Sequence, residues 1–388
     1  MAESPEDLQK SLTVFSEYCE KWKLKINTDK SKILIFGSKL PKNKTFYIKD
    51  IKLDIVDSYK YLGIIFCRNG SFLQAKKTLI SQAKKGMTLL KIRIRNLNLP
   101  IDCQLRIFDS TIVPILLYSS EIWGFGNNQN IEQIQLTFLK DLLKLRKSTP
   151  LPMIYGELGV FPLDIKIKTK MLSFWATLIT GKASKISATL YRFMLHETVM
   201  HGYKFKWLTD IVDTLNKLGM GNYWLNQNIM NKNAFVHSVS KRLKDQYRQI
   251  WNDNLNVYPK CITYRIFKST HSCETYLFHL PDKLRTVYVR FRTSNHYLPI
   301  ETGRWQNIER QDRICPLCNT ALGDEYHYLF QCPYFTNERS TYLNRYYYNR
   351  PNTFKFQQLF NSRKLSVTKK LCMFLNIINT VFKNMYMS

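Results

Sequence analysis

The chain has 388 residues, 45% of them hydrophobic and 14% aromatic, enough to bury real cores and to exclude global disorder. Its 58 Lys and Arg against 29 Asp and Glu leave a formal charge of +29, which points to a polyanion, nucleic acid ahead of an anionic membrane surface. A lysine-rich, well-solvated surface with no such partner is the plainer reading of the same charge.

The first ten residues, MAESPEDLQK, are acidic and polar, unlike a signal or transit peptide. Ser4 reads as a helix N-cap, Pro5 as the first helical residue and Asp7 as the acid three positions on. Leu8, Leu12, Phe15, Cys19 and Trp22 then recur at spacings of three and four, one apolar stripe of a helix. From Lys23 the period shortens. Leu24 with Ile26, Ile33 with Ile35, residues 46–48 and residues 51–55 read as short strands. Tyr61 to Phe66 is the strongest strand, with Gly63 inside it as a bulge or a close backbone approach.

After the Asn69-Gly70 turn the texture is helical: residues 71–96, 101–120 with an interruption at Pro114, 128–147, 164–180, 183–200, 206–218, 231–253 and 281–292. Residues 353–385 close the chain with one or two more amphipathic helices. No run of about 18 apolar residues occurs, so no membrane span is expected. The fold class expected is α+β: a small mixed head, a long helical body and a Cys/His module near the end.

That module is CPLCNTALGDEYHYLFQC, residues 315–332. Cys315, Cys318, His327 and Cys332 stand as C-x2-C-x8-H-x4-C, four soft donors that suit a closed, structural, tetrahedral zinc site. Four unrelated core residues would be the alternative. Gly323 falls where a tight bend is useful. The other six of the nine cysteines sit in apolar or helical contexts as small core hydrophobes, a usage that fits a reducing compartment, cytoplasmic or nuclear. Upstream of the module, Arg285, Arg290, Arg292, Arg304, Arg310 and Arg313 alternate with Tyr288, Phe291, Tyr297 and Trp305. Cations neutralise phosphates and aromatic faces stack on unpaired bases, so the segment is expected to contact RNA or DNA. Packing around the metal is the competing role for each aromatic.

Leu24, Asn27, Lys30 and Ser31 stand as L-x-x-N-x-x-K-S, Tyr59 to Ile64 read YKYLGI, and LPIETGRW precedes the Cys/His module; in this order the motifs resemble those of reverse transcriptases of non-LTR (LINE-type) retrotransposons. Leu24, Asn27, Lys30 and Ser31 form L-x-x-N-x-x-K-S ahead of KILIFG, similar to the fourth palm motif. Tyr59 to Ile64, YKYLGI, resembles the hairpin that grips the primer end, and Ile112 to Trp123 resembles the thumb helix. LPIETGRW followed by CPLC and HYLFQC resembles the carboxy-terminal Cys/His knuckle; residues 180–280 carry little of the resemblance.

The resemblance implies a fold and a division: a partial palm over 1–69, thumb-like helices over 70–150, a helical body over 151–300, the knuckle over 301–336 and a helical tail over 337–388. It places Lys30 near an incoming nucleotide, Tyr61 and Gly63 against the primer end, and Lys76, Lys77, Lys84, Lys85, Lys91, Arg93 and Arg95 along the template–primer duplex. With Arg290, Arg292 and Arg304 these are the candidate nucleic-acid contacts. The family's catalytic aspartate pair precedes the helix that here opens the chain, and no two aspartates are adjacent anywhere in the 388 residues. Polymerase chemistry needs carboxylates that hold two metal ions. The expectation is therefore an RNA- or DNA-binding chain, with little sequence preference and structural Zn2+, that does not polymerise alone. Mg2+ would enter only with the missing catalytic region. The alternatives are part of an active enzyme whose polymerase region lies elsewhere, or a zinc-dependent protein-interaction module.

Overall fold

The computed structural model describes residues 2–37, 45–97, 99–181 and 184–387. It divides into two compact units, Met1–Leu90 with Ser110–Ser119, and Lys91–Asp109 with Ser120–Ser388. Helix dominates, and the four strands among the described residues are short.

In the first unit, helix α1 (Pro5–Lys21) starts as its sequence requires: the Asp7 amide donates to Ser4 Oγ at 3.1 Å, and the Ser4 hydroxyl donates to Asp7 Oδ2 at 2.7 Å. Leu8 and Leu12 pack on a small core of Ile33, Phe46, Ile48 and Leu53. Strands β1 (Phe46–Ile48) and β2 (Ile51–Leu53) form an antiparallel hairpin, and Gln9 grips its edge by donating to the Tyr47 carbonyl and accepting from the Tyr47 amide, each at 2.9 Å. A two-stranded ribbon is marginal by itself, so this packing is what holds it.

Three expectations are corrected here. The pairs Leu24–Ile26 and Ile33–Ile35 are not strands; Ile33 makes a single bridge to Ile55, with the Ile33 amide on Asp54 O and the Val56 amide on Ile33 O, both at 2.9 Å. The stripe of α1 is only half covered, because Cys19 is buried whereas Phe15 and Trp22 stay exposed beside Val14 and Tyr18. Gly63 lies in a turn rather than inside a strand: β3 (Ser58–Tyr61) pairs with β4 (Ile64–Cys67) through the two-residue connection Leu62-Gly63. Both turn residues have positive φ, 45° and 87°. Such turns match the right-handed twist of the strands they join. The close approach holds, since a Cβ on Gly63 would lie 3.1 Å from the Tyr118 ring.

Helix α2 (Leu73–Leu97) buries Ala75, Leu79, Ala83, Met87 and Leu90, one face at helical period. Helix α3 (Ile101–Thr111) ends before Pro114, and the expected helix 101–120 resolves into α3, one turn at Val113–Leu116 and another at Ser120–Trp123. The ring of Pro114 forbids the continuous hydrogen-bond ladder.

The second unit centres on helix Leu163–Ile179, packed by Gln129–Leu142, Lys232–Val257 and Ser120–Trp123, with Trp123 and Trp175 fully buried. Polar atoms that enter this core are met: Trp175 Nε1 donates to the Tyr191 hydroxyl at 2.9 Å and Trp251 Nε1 to the Pro152 carbonyl at 2.7 Å. Near the carboxy terminus Asp282–Arg292 packs on Leu365–Met387. The latter is long and apolar enough to cross a membrane by length and composition. Its Leu371, Cys372, Phe374, Leu375, Ile378 and Phe382 are buried within this unit.

Candidate functional site

The Cys/His module is shaped by local backbone bonds before any ion is considered. Ile314 bridges Leu322 in antiparallel sense, the Cys315 amide donates to Ala321 O at 2.8 Å, and the Asn319 amide to Cys315 O at 2.9 Å. Asn319 turns the loop at φ 56°, a left-handed conformation that Asn tolerates. Asp324 caps helix Glu325–Phe330 by accepting the His327 amide at 2.9 Å, and the Cys332 amide donates to His327 O at 2.8 Å. Gly323 is needed for close packing, since a Cβ there would lie 2.7 Å from the Tyr328 hydroxyl and 2.8 Å from Pro299.

These bonds bring four donors together. Cys315 Sγ lies 3.9 Å from Cys332 Sγ, and Cys318 Sγ lies 3.4 Å from His327 Nε2. Tetrahedral zinc with ordinary bond lengths separates two sulfurs by about 3.8 Å and a sulfur from an imidazole nitrogen by about 3.6 Å. The donor set and spacing therefore fit a metal ion such as zinc. The electrostatics of the donors differ. Burial lowers the His327 pKa, which favours the neutral ring that ligates, and burial pushes the Cys332 thiol up to about 12, a cost that a bound cation reverses. A hydrogen bond with Thr320 lowers that of Cys318.

Sequence reasoning missed Arg339. Its buried guanidinium donates to the carbonyls of Leu329 (2.8 Å) and Cys332 (2.7 Å), clamping the end of the ligand helix and the last cysteine. Nothing in C-x2-C-x8-H-x4-C marks an arginine seven residues downstream. A second grouping, His196, Glu197 and His201, offers three donors on helix Lys185–His201, but both histidines are exposed.

Of the expected nucleic-acid contacts, Arg292 is corrected. Its side chain is fully buried, with Nη2 3.0 Å from Glu157 Oε1 and 3.1 Å from Glu274 Oε2. Tyr276 donates to Glu157, Lys268 pairs with Glu274, and the Phe267 ring lies 4.6 Å from the guanidinium. This arginine is structural. Arg290 is exposed, with Nε on the Lys144 carbonyl at 3.0 Å, and Arg304 is half-buried, 3.2 Å from Glu301.

In the first unit Lys30, Tyr61, Gly63, Lys84 and Lys85 are exposed, and the Tyr59 hydroxyl ties Lys30 O to the β3–β4 hairpin at 2.7 Å. In the second unit Arg93 is exposed and Lys91 pairs with Asp141. The side chain of Arg95 lies outside the described residues.

Comparison with known proteins agrees in kind with these motifs. Over 147 residues the chain is 25% identical to the RNA-directed DNA polymerase from mobile element jockey of Drosophila funebris, which covers 37% of this chain and 16% of that protein. The chain is similar to RNA-directed DNA polymerases of mobile elements. Over 125 residues it is 27% identical to the probable RNA-directed DNA polymerase from transposon X-element of Drosophila melanogaster, covering 31% of this chain and 13% of that protein. The corresponding protein from transposon BS of the same fly is 26% identical over 137 residues, 34% of this chain and 15% of its own length. The matched stretch thus spans about a sixth of these polymerases or less. No family model and no solved structure matches the chain.

Proposed function

We propose that this chain is a zinc-stapled nucleic-acid-binding portion of a mobile-element reverse transcriptase, and that it does not extend primers unaided. The observation that carries the reading is the pairing of a donor set at zinc spacing with the surrounding arginines, in a chain similar to RNA-directed DNA polymerases. The ion would be structural: three thiolates and one imidazole fill a tetrahedron and leave no position for water or substrate. The +29 charge supplies affinity for phosphates with little sequence preference. Inactivity follows from the lack of adjacent aspartates in the 388 residues.

Binding of single-stranded RNA and DNA, measured across a salt series, tests the reading. Affinity should fall linearly in log–log form with a slope of about −0.7 for each phosphate contacted. A salt-independent interaction, or none in dilute buffer, would remove it. Extension of an annealed primer with Mg2+ present would refute the inactive assignment.

The alternative that the chain is the late part of a complete polymerase draws on helix α1. Val14, Phe15 and Tyr18 of α1 and its C-cap Trp22 stand exposed, an apolar patch of the kind that further polypeptide covers. Expression together with an upstream in-frame segment tests it; burial of Trp22, read as a blue shift in its emission, is the expected result.

A further inference from the structure

We infer that Arg146, Lys260, Arg290 and Arg304 build a phosphate-binding pocket in the second unit, floored by Tyr297 and Trp305. The inference rests on the nucleic-acid reading above and names where in this unit a backbone phosphate is held.

The loop after helix Gln129–Leu142 is fixed by one buried side chain. Asn295 Oδ1 accepts the Arg146 amide at 3.0 Å and the Thr149 hydroxyl at 2.9 Å. So anchored, Arg146 lies over two rings, its guanidinium carbon 4.6 Å from the Tyr297 centroid and 4.4 Å from that of Trp305. Tyr386 packs on both rings and braces them. An arginine stacked in this way is held in place with its charge unneutralised.

The charges around it do not balance. Glu301 lies 3.5 Å from Lys260 Nζ and 3.2 Å from Arg304 Nη2, with its Oε2 making no hydrogen bond among the described residues, so one carboxylate serves two cations before Arg146 and Arg290 are counted. The nearby Glu325 is taken by His296 at 3.0 Å and Thr263 at 2.9 Å. Arg290 meets a carbonyl rather than an acid. Arg146 Nη1 and Arg304 Nε are shielded from water and have no hydrogen-bond acceptor among the described residues. Burial lowers the Lys260 pKa, and both Arg304 and Arg146 push the same way, so the cations feel one another. Crowded cations in a low-dielectric setting repel strongly, and a bound anion offsets that repulsion. Exposed Arg290 and half-buried Arg146, Lys260 and Arg304 are the cations an arriving phosphate meets. Trp305 keeps 37% of its surface exposed beside the stacked Arg146, so its emission reports on what binds there.

The test uses the full chain with inorganic pyrophosphate and, separately, a single-stranded oligonucleotide. Pyrophosphate should quench or shift tryptophan emission on binding, and Arg146→Gln and Lys260→Gln should each weaken it at least tenfold. The same variants should weaken the oligonucleotide about tenfold and flatten its salt slope by about 0.7. Arg146→Lys, which keeps the charge, should recover part of both. If the oligonucleotide binds wild type and variants alike and pyrophosphate does not bind, the pocket is wrong and the nucleic-acid reading survives. If pyrophosphate binds and is lost in the variants while no oligonucleotide binds at any salt, the pocket stands with a small phosphorylated ligand and the nucleic-acid reading fails. Binding of neither probe overturns both.

Discussion

The Tyr118 hydroxyl donates to the Leu62 carbonyl at 2.9 Å, across 56 positions of chain. This bond holds a turn that its own sequence does not favour. Leu62 sits at φ 45° with 73% of its surface exposed, so no burial compensates for a left-handed leucine. Such strain is of the order of 1 kcal/mol or more, and strained positions concentrate at functional sites. Asn-Gly suits a two-residue turn with positive φ at both positions. Leu62→Asn should therefore stabilise the β3–β4 hairpin by about 1 kcal/mol, slowing exchange of its cross-strand amides by about fivefold. Faster exchange would contradict the strain argument. Gly63→Ala should act oppositely, because φ 87° and the Tyr118 ring both oppose a Cβ.

Which features could be read from the chain follows from their range. The Ser4 cap, the face of α2 and the C-x2-C-x8-H-x4-C spacing are local, and each requires only residues a few turns apart. A short apolar run with Gly inside looks alike as one strand or as two strands and their turn, so the pattern places Gly63 within a strand while its close backbone approach is legible all the same. Phe15 and Trp22 share the period of Leu8 and Cys19, and periodicity cannot say how much of a face a partner covers. Arg292 and Arg146 are the long-range cases. The partner Glu157 is 135 positions from Arg292, and Asn295, which anchors Arg146, is 149 positions away. An arginine run looks the same whether its members face phosphate or a buried carboxylate.

That distinction can be measured. Removing a buried charge strands its partner, at a cost of about 3–5 kcal/mol. Arg292→Met should unfold or badly destabilise the second unit, leaving Glu157 unpaired among aromatic rings. Adding Glu157→Gln removes the stranded charge and should restore part of the loss in thermal denaturation. A single variant with unchanged melting temperature, or a double variant no better than the single, would reject the structural assignment. Arg290→Gln, at an exposed position, should leave melting unchanged and weaken nucleic-acid binding.

A pH dependence follows from His271. Its ring packs on Phe161, Tyr247 and Trp251, with both nitrogens shielded from water. Burial, helped by Lys268 and Arg248, lowers its pKa to about 4. The unfolded chain takes up a proton near pH 6.5, whereas the folded chain resists until near 4. The unfolded state thus binds more protons within that window, so stability is complete above about pH 6.5 and falls as pH drops toward 4, by at most about 3 kcal/mol. His271→Phe should flatten that part of the stability curve. A curve unchanged by the substitution would assign the acid sensitivity to other groups.

The Cys/His cluster yields the sharpest separation of roles, because a donor and a clamp can be removed independently. Cys318→Ser takes away a ligand and should release zinc, with loss of exchange protection over residues 312–335 while the β1–β2 and β3–β4 hairpins keep theirs. Arg339→Met leaves all four donors but strips the hydrogen bonds that fix Cys332 and the end of the ligand helix. Zinc should stay bound at stoichiometric levels, and chelator-driven release should accelerate by about tenfold or more, as when supports behind metal ligands are lost. Native mass spectrometry reads the first effect and chelator kinetics the second. Purified wild type without zinc, reconstituting with none, would defeat the assignment of the donors. Identical release rates for wild type and Arg339→Met would confine Arg339 to simple packing.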